Sequence, residues 1–252
     1  MSLNNIRQTN YVVSFSGGKD STAMALLMLE RGEPIHSVVA FDTGWEFPQM
    51  YQHWDQFERY TGLKIVRLTP ERSYTYWMLE REVVARKGPN KGSVHRIGNG
   101  WPSPMRRWCT GKKVYGINRY LKTVEAPISC IGIAADEAHR VKDNAKYPCR
   151  YPLIEYDVDE AQALELCRQH GFDWGGLYEI FSRVSCFCCP LQRKGELKKL
   201  RRFFPDLWEK MLEWDAAVPG HNYGFRGYDT VHDLEAIFAE EDRFLPFPIH
   251  SF

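Results

Sequence analysis

Several features are scarce in this chain, and each scarcity removes a class of function. Long apolar runs are missing: no stretch approaches the roughly 18 residues that suggest a membrane span, so no membrane partner is expected. An excess of one charge is also missing. Lys and Arg number 33 and Asp and Glu 32, a formal net charge of +1, so any nucleic acid must be met by a local patch rather than a global field. The seven cysteines are odd in number and unevenly placed, which does not suit a secreted disulfide framework. In a cytosolic protein such clustering points to metal or redox chemistry. The polar first ten residues carry no signal-peptide pattern, and the cytoplasm is the expected compartment. There is no internal repeat and no low-complexity tail. At 44% hydrophobic and 26% charged, the composition is that of an ordinary folded protein able to bury a sizeable core.

What is present centres on residues 11–22, Tyr-Val-Val-Ser-Phe-Ser-Gly-Gly-Lys-Asp-Ser-Thr. A β-prone run meets Ser16, Gly17 and Gly18, and an apolar helical pattern follows at once. Glycine permits the positive-φ turn and a close ligand approach. The helix start offers unpaired amides and a positive dipole end to an anion. Ser16 and Ser21 add hydroxyls, Lys19 adds charge, and Asp20 stands where a carboxylate is favoured. The stretch reads as a phosphate cradle. It lacks the longer glycine-rich segment of a Walker A loop. The run Ser-Gly-Gly-Lys-Asp-Ser resembles the pyrophosphate loop of the PP-loop ATPases, or adenine nucleotide alpha hydrolases. That resemblance implies ATP with Mg²⁺ as cofactor, cleavage at the α-phosphate, and Lys19 and Asp42 as catalytic groups.

Strand-like runs at 11–15, 36–41, 64–68 and 128–133 alternate with helical patterns at 21–31, 47–60, 74–86 and 110–122. This rhythm predicts an α/β fold, a Rossmann-like open parallel sheet with helices on both faces. Residues 151–157 suggest one more strand, and Asp159 a helix cap. Residues 87–104, rich in Gly, Pro, Asn and basic residues, read as a mobile functional loop. The expected division is a nucleotide-binding domain over 1–158 and a helical, cysteine-bearing C-terminal part over 159–252.

Asp42, Thr43 and Gly44 follow the second strand, where open α/β sheets place ligands. With Phe47-Pro48 they resemble the Asp-Thr-Gly…Phe-Pro segment of the phosphoadenosine phosphosulfate (PAPS) reductase branch, which helps hold the nucleotide. Residues 131–140 resemble that branch's Gly-x-Arg-x-x-Glu-Ser-x-x-Arg segment, implying nucleotide contacts from Gly132, Glu137 and Arg140. Ala134 stands where arginine is common, and the loss of that anion clamp argues against a sulfonucleotide.

Cys186 and Cys189 have the Cys-x-x-Cys spacing that lets two thiolates reach one metal, and Cys188 lies in the same turn. The turn resembles the branch's Gly-Cys-x-x-Cys-Pro-Leu segment, and the stretch around Cys109 its Cys-Cys-x-x-x-Lys-Val segment. A [4Fe–4S] cluster or closed zinc site needs four ligands. The expected set is Cys109, Cys186 and Cys189, with Cys149 or Cys188 as fourth. The resemblance favours the iron–sulfur cluster, with zinc as the alternative. Cys130 and Cys167 read as core, and His221, His232 and His250 lack ligand spacing.

Arg86, Lys87, Lys91, His95, Arg96, Arg106, Arg107, Lys112 and Lys113, interleaved with Trp101 and Trp108, suit phosphate contacts and base stacking. A second basic run at 193–202 reads as a solvated helix face. The resulting expectation is an ATP-dependent enzyme that binds an adenine nucleotide, adenylylates an acceptor with pyrophosphate release, and transfers sulfur to it. Its acceptor would be a nucleic acid and its source a sulfur-donor protein. The alternatives are a PAPS reductase acting on a sulfonucleotide, and a non-catalytic nucleotide- or nucleic-acid-binding module. Against the reductase, the usual Glu-Cys-Gly-x-His tail is not found, and no cysteine follows Cys189.

Overall fold

A computed structural model describes residues 10–141, 145–218 and 224–243. His221, His250 and the readings made on residues 1–9 and 247–252 lie outside the described residues. Chain order runs β1 (Asn10–Ser14), α1 (Lys19–Glu30), β2 (Ile35–Phe41), α2 (Pro48–Thr61) and β3 (Ile65–Leu68). Next come α3 (Tyr74–Leu79), β4 (Glu82–Val84), β5 (Val94–Ile97), α4 (Trp108–Leu121), β6 (Pro127–Ile131) and β7 (Cys149–Arg150). The remainder is helical: α5 (Pro152–Glu155), α6 (Glu160–Gln169), α7 (Leu177–Ile180), α8 (Lys194–Phe203), α9 (Pro205–Ala217) and α10 (Val231–Arg243).

The chain divides into two compact units, each built of two segments: Met1–Pro70 with Gly111–Ser185, and Glu71–Thr110 with Cys186–Phe252. The expected boundary at 158 therefore falls inside the first unit. Helix α6 packs on α1 and stays with the sheet.

In the first unit five strands pair in the order β3-β2-β1-β6-β7, every pair parallel. Val12, Val13, Val38 and Val39 are buried, the apolar continuity of a sheet covered on both sides. Val12, Val39 and Leu121 anchor one core cluster, with Ile117 and Tyr120 packed against it. The strand order reverses direction between β1 and β6, which opens a ligand crevice at their carboxyl ends. Asp159 caps α6 reciprocally: its carboxylate accepts from Gln162 N at 2.7 Å, and the Gln162 side chain accepts from Asp159 N at 2.9 Å.

The second unit is held by aromatic packing. Trp101 meets Phe225 edge-on at 4.9 Å, and Phe187 lies 5.8 Å from Trp214. Trp101 Nε1 donates to Asp215 Oδ1 at 2.8 Å, while Asp215 Oδ2 accepts from Val231 N and lies 3.1 Å from His232 Nδ1. His232 thus supports the α9–α10 junction.

Two local expectations fail. The helix expected over 74–86 ends at Leu79, because β4 pairs antiparallel with β5, Val83 opposite Arg96. The 87–104 stretch is accordingly the tip and return strand of a hairpin, not a plain loop. Residues 151–157 hold the short α5 rather than a strand, and the edge strand is Cys149–Arg150.

Candidate functional site

The loop between β1 and α1 is shaped from beneath. Gly17 has φ 81°, and a Cβ there would come within 2.2 Å of Trp54 Nε1 and 2.6 Å of Met50 Sδ. Only glycine satisfies both the turn and the space. Trp174 Nε1 donates to Gly17 O at 2.6 Å, and Thr22 Oγ1 lies 3.0 Å from His53 Nε2. His53 stacks on Trp174 at 4.6 Å, and burial drives its pKa down to about 3, so the ring is neutral.

Above this support the polar groups gather. Ser16 Oγ lies 3.1 Å from Ser21 Oγ, which also accepts from Ser16 N at 3.2 Å. Gly18 is the N-cap of α1 and supplies no side-chain cap. The first-turn amides have no acceptor within the helix, the condition for anion binding. Lys19 N donates to the Tyr178 hydroxyl at 2.8 Å. Burial raises the Tyr178 phenol pKa, so its proton is retained. Gly132, just past β6, approaches so closely that a Cβ would stand 2.9 Å from Ser21 N.

Lys19 is only 6% exposed, and its Nζ lies 2.8 Å from Asp20 Oδ1 and 3.2 Å from Glu160 Oε2. Burial raises the Asp20 pKa, opposed by the neighbouring Lys19. Asp20, Glu137 and Glu160 bring carboxylate oxygens within 4.8 Å of one another. Three hard oxygen donors beside a phosphate cradle fit Mg²⁺ in type. Glu160 was not among the residues singled out from sequence. Only its place in the first turn of a capped helix hinted at it.

Asp42 and Thr43 form a closed turn. Asp42 Oδ1 accepts from Gly44 N and from the Tyr51 hydroxyl, both at 2.8 Å, and Thr43 Oγ1 accepts from Trp45 N at 3.1 Å. Arg140 pairs with Glu137 on the short 3-10 helix Ala135–Arg140. Ala134 is fully buried, so the arginine common at that position would need a different packing.

All seven cysteines stand as thiols. Cys109, Cys186, Cys188 and Cys189 belong to the second unit, and Cys149 to the first, on β7. Cys149 donates to Tyr147 O at 3.4 Å, and burial raises its pKa. The Cys186–Cys189 turn is closed by Cys189 N donating to Cys186 O at 3.1 Å. Gln192 Nε2 braces it by donating to Cys186 O and Phe187 O. Four thiols in one unit match the donor number and type of a [4Fe–4S] or zinc site. Cys130 and Cys167 are buried in the core, and burial pushes the Cys130 pKa up to about 12.

Known proteins were then compared. Two uncharacterized proteins of Methanocaldococcus jannaschii are 28% and 24% identical, over 88% and 82% of this chain but 43% and 48% of their own lengths. The chain thus spans about half the length of these relatives. An uncharacterized 37.8 kDa protein of Escherichia phage 186 is 24% identical over 82% of this chain and 75% of its own. The PAPS reductase of Candida auris, solved as a phosphate complex, aligns at TM-score 0.48 and 15% identity, covering 70% of this chain and 80% of that one. The U34-tRNA thiolase NcsA of Methanococcus maripaludis, solved with its [4Fe–4S] cluster, aligns at TM-score 0.42 and 15% identity, covering 92% and 73%. Scores this low bear no functional weight. The phosphoadenosine phosphosulfate reductase domain model matches residues 10–150, more than half of the 252 residues, and the chain belongs to that family.

Proposed function

We propose that this protein is an ATP-dependent enzyme that adenylylates an acceptor, releases pyrophosphate, and passes sulfur to the acceptor. One observation carries the reading: the uncapped start of α1 opens beside a buried Lys19 that is tied to Asp20 and Glu160. Ser16, Gly17, Gly18 and Ser21 would cradle the β- and γ-phosphates. Asp20, Glu137 and Glu160 would hold Mg²⁺, which supplies charge neutralisation on the phosphates. Lys19 stabilises charge on the departing pyrophosphate. The protonated Tyr178 hydroxyl, already accepting from Lys19 N, has its own proton to offer a phosphate oxygen. Asp42, Thr43 and Gly44 form the second wall of the nucleotide site, with Gly132 and Arg140 at the β6 edge. Sulfur would be carried at the Cys109, Cys186, Cys188 and Cys189 site and supplied by a donor protein.

A second reading, reduction of a sulfonucleotide, is favoured by the family model alone. Titration of anaerobically prepared protein with ATP and with PAPS, in Mg²⁺ and with total RNA as acceptor pool, separates the two. ATP should bind and yield pyrophosphate, and Lys19→Ala should lower that turnover about 10²–10³-fold with a smaller loss of binding. Preference for PAPS with no pyrophosphate formed overturns the reading.

A further inference from the structure

The two basic runs of the second unit meet different fates. On α8, Lys198 pairs with Glu241 and Asp242 at 2.8 and 3.1 Å, and Arg201 pairs with Glu235 and Asp242 at 2.7 and 2.6 Å. That helix face is neutralised by α10. On the β4–β5 hairpin, residues 81–97 hold five Lys and Arg and one acid, Glu82. Among the described residues Arg81, Arg86, Lys87, Lys91 and Arg96 enter no ion pair.

Arg96 is the most telling. Its Nε is buried with no hydrogen-bond partner. Its guanidinium pKa is lowered, first by burial and then by the charges of Arg106 and Arg81. A desolvated cation crowded by like charges is costly unless an anion joins it. Beside this crowd stand two half-buried rings that already carry guanidinium planes. Arg81 lies 4.6 Å from the Trp77 ring centre and Arg72 lies 5.6 Å from that of Tyr76.

We infer that the β4–β5 hairpin and the adjoining α3 form a binding surface for a single-stranded polynucleotide. Arg81 and Arg96 would take backbone phosphates, and Trp77 and Tyr76 would be stacking platforms for bases. The phosphates supply the charge that the hairpin lacks, and planar bases match the arginine–aromatic stacks. An acidic peptide would answer the charge but not the rings. That the bound strand is the acceptor rests on the function proposed above; the binding itself does not.

The test is therefore run on the full chain without ATP. Fluorescence anisotropy of a labelled single-stranded RNA of about 20 nucleotides is followed against salt. Arg81→Ala with Arg96→Ala should weaken binding at least about tenfold and reduce the slope of log affinity against log salt by about 1.4, roughly 0.7 per phosphate contact. Lys87→Glu with Lys91→Glu, at the exposed hairpin tip, should weaken binding comparably and guards against misfolding of the first variant. Lys198→Ala, on the neutralised α8, should change affinity less than about twofold. The inference is overturned by no RNA binding at low salt, by unchanged affinity in both hairpin variants, or by an equal loss in Lys198→Ala. Equal competition from a polyglutamate of matched charge, or tighter binding of the duplex, overturns it as well.

Discussion

Two glycine-bearing turns stand at the carboxyl ends of the paired strands β1 and β2, and they treat their polar atoms in opposite ways. The Asp42 turn closes on itself. Asp42 Oδ1 is shared between Gly44 N and the Tyr51 hydroxyl, and Thr43 Oγ1 accepts from Trp45 N and donates to Glu46. The Ser16–Gly18 turn withholds a side-chain cap from α1 and leaves its first amides pointing at the crevice. A turn that satisfies its own donors is complete as structure. One that keeps donors open, over a support that permits no residue but glycine, is arranged for something that is not protein. Sequence motifs of similar composition do not reveal this difference, because it depends on which side chains close the turn.

The sharpest way to break the comparison is to substitute each glycine. Gly17→Ala would combine a left-handed backbone strain with a Cβ 2.2 Å from Trp54 Nε1, and should cost about 2–4 kcal/mol in urea unfolding. Gly44 also has positive φ, at 74°, but nothing lies within 4 Å of its Cβ position. Gly44→Ala should therefore cost only about 1 kcal/mol. Equal losses would mean that the support under the first turn does not constrain it.

Acid tests the same support from another direction. The folded His53 pKa of about 3 lies below its ordinary value of 6.5, so below pH 6.5 the unfolded chain binds the extra proton. Stability should then fall as pH drops from 6.5 towards 3, by about 2 kcal/mol at pH 5 from this group. His53→Gln should flatten that part of the profile in thermal melts across the same range. An unchanged slope in the variant would remove His53 as the titrating support of Thr22 and the first turn.

Much of the first unit was legible in the chain. Parallel strands buried on both faces read as continuous apolar runs, and Ser16–Ser21 announced itself by glycine and hydroxyl spacing. Contacts made between distant residues were not legible. Glu160 reaches Lys19 only because α6 packs on α1. Tyr178 and Trp174 come to the loop from more than 150 residues away. In the second unit local propensity misled: the pattern over 74–86 continues as a helix on paper, but Val83 and Val84 pair with Arg96 and Val94. The salt bridges that silence α8 depend on α10, which no spacing within 193–202 could indicate. For the cysteines, spacing identified the Cys186–Cys189 turn but not Gln192, whose amide holds that turn in shape.

The smallest expected effect bears most directly on whether the first turn is open. Tyr178 is the one side chain found on a first-turn amide of α1 among the described residues, accepting from Lys19 N at 2.8 Å. If it is a cap, the loop is closed after all and resembles the Asp42 turn. If it is a relay, it accepts from the amide and donates its own proton to a phosphate oxygen. The raised pKa favours donation at neutral pH, since the buried phenol stays protonated. Tyr178→Phe distinguishes the cases while preserving the ring that packs edge-on against Trp174 at 4.7 Å. A relay predicts that affinity for ATP and for pyrophosphate falls about five- to tenfold in titration calorimetry, the scale of one hydrogen bond to a charged group. A cap predicts the reverse, tighter binding once the amide is released. Weaker binding by the phenylalanine variant would thus establish the contrast between the two turns, because only an open cradle has a place for the hydroxyl and the phosphate together.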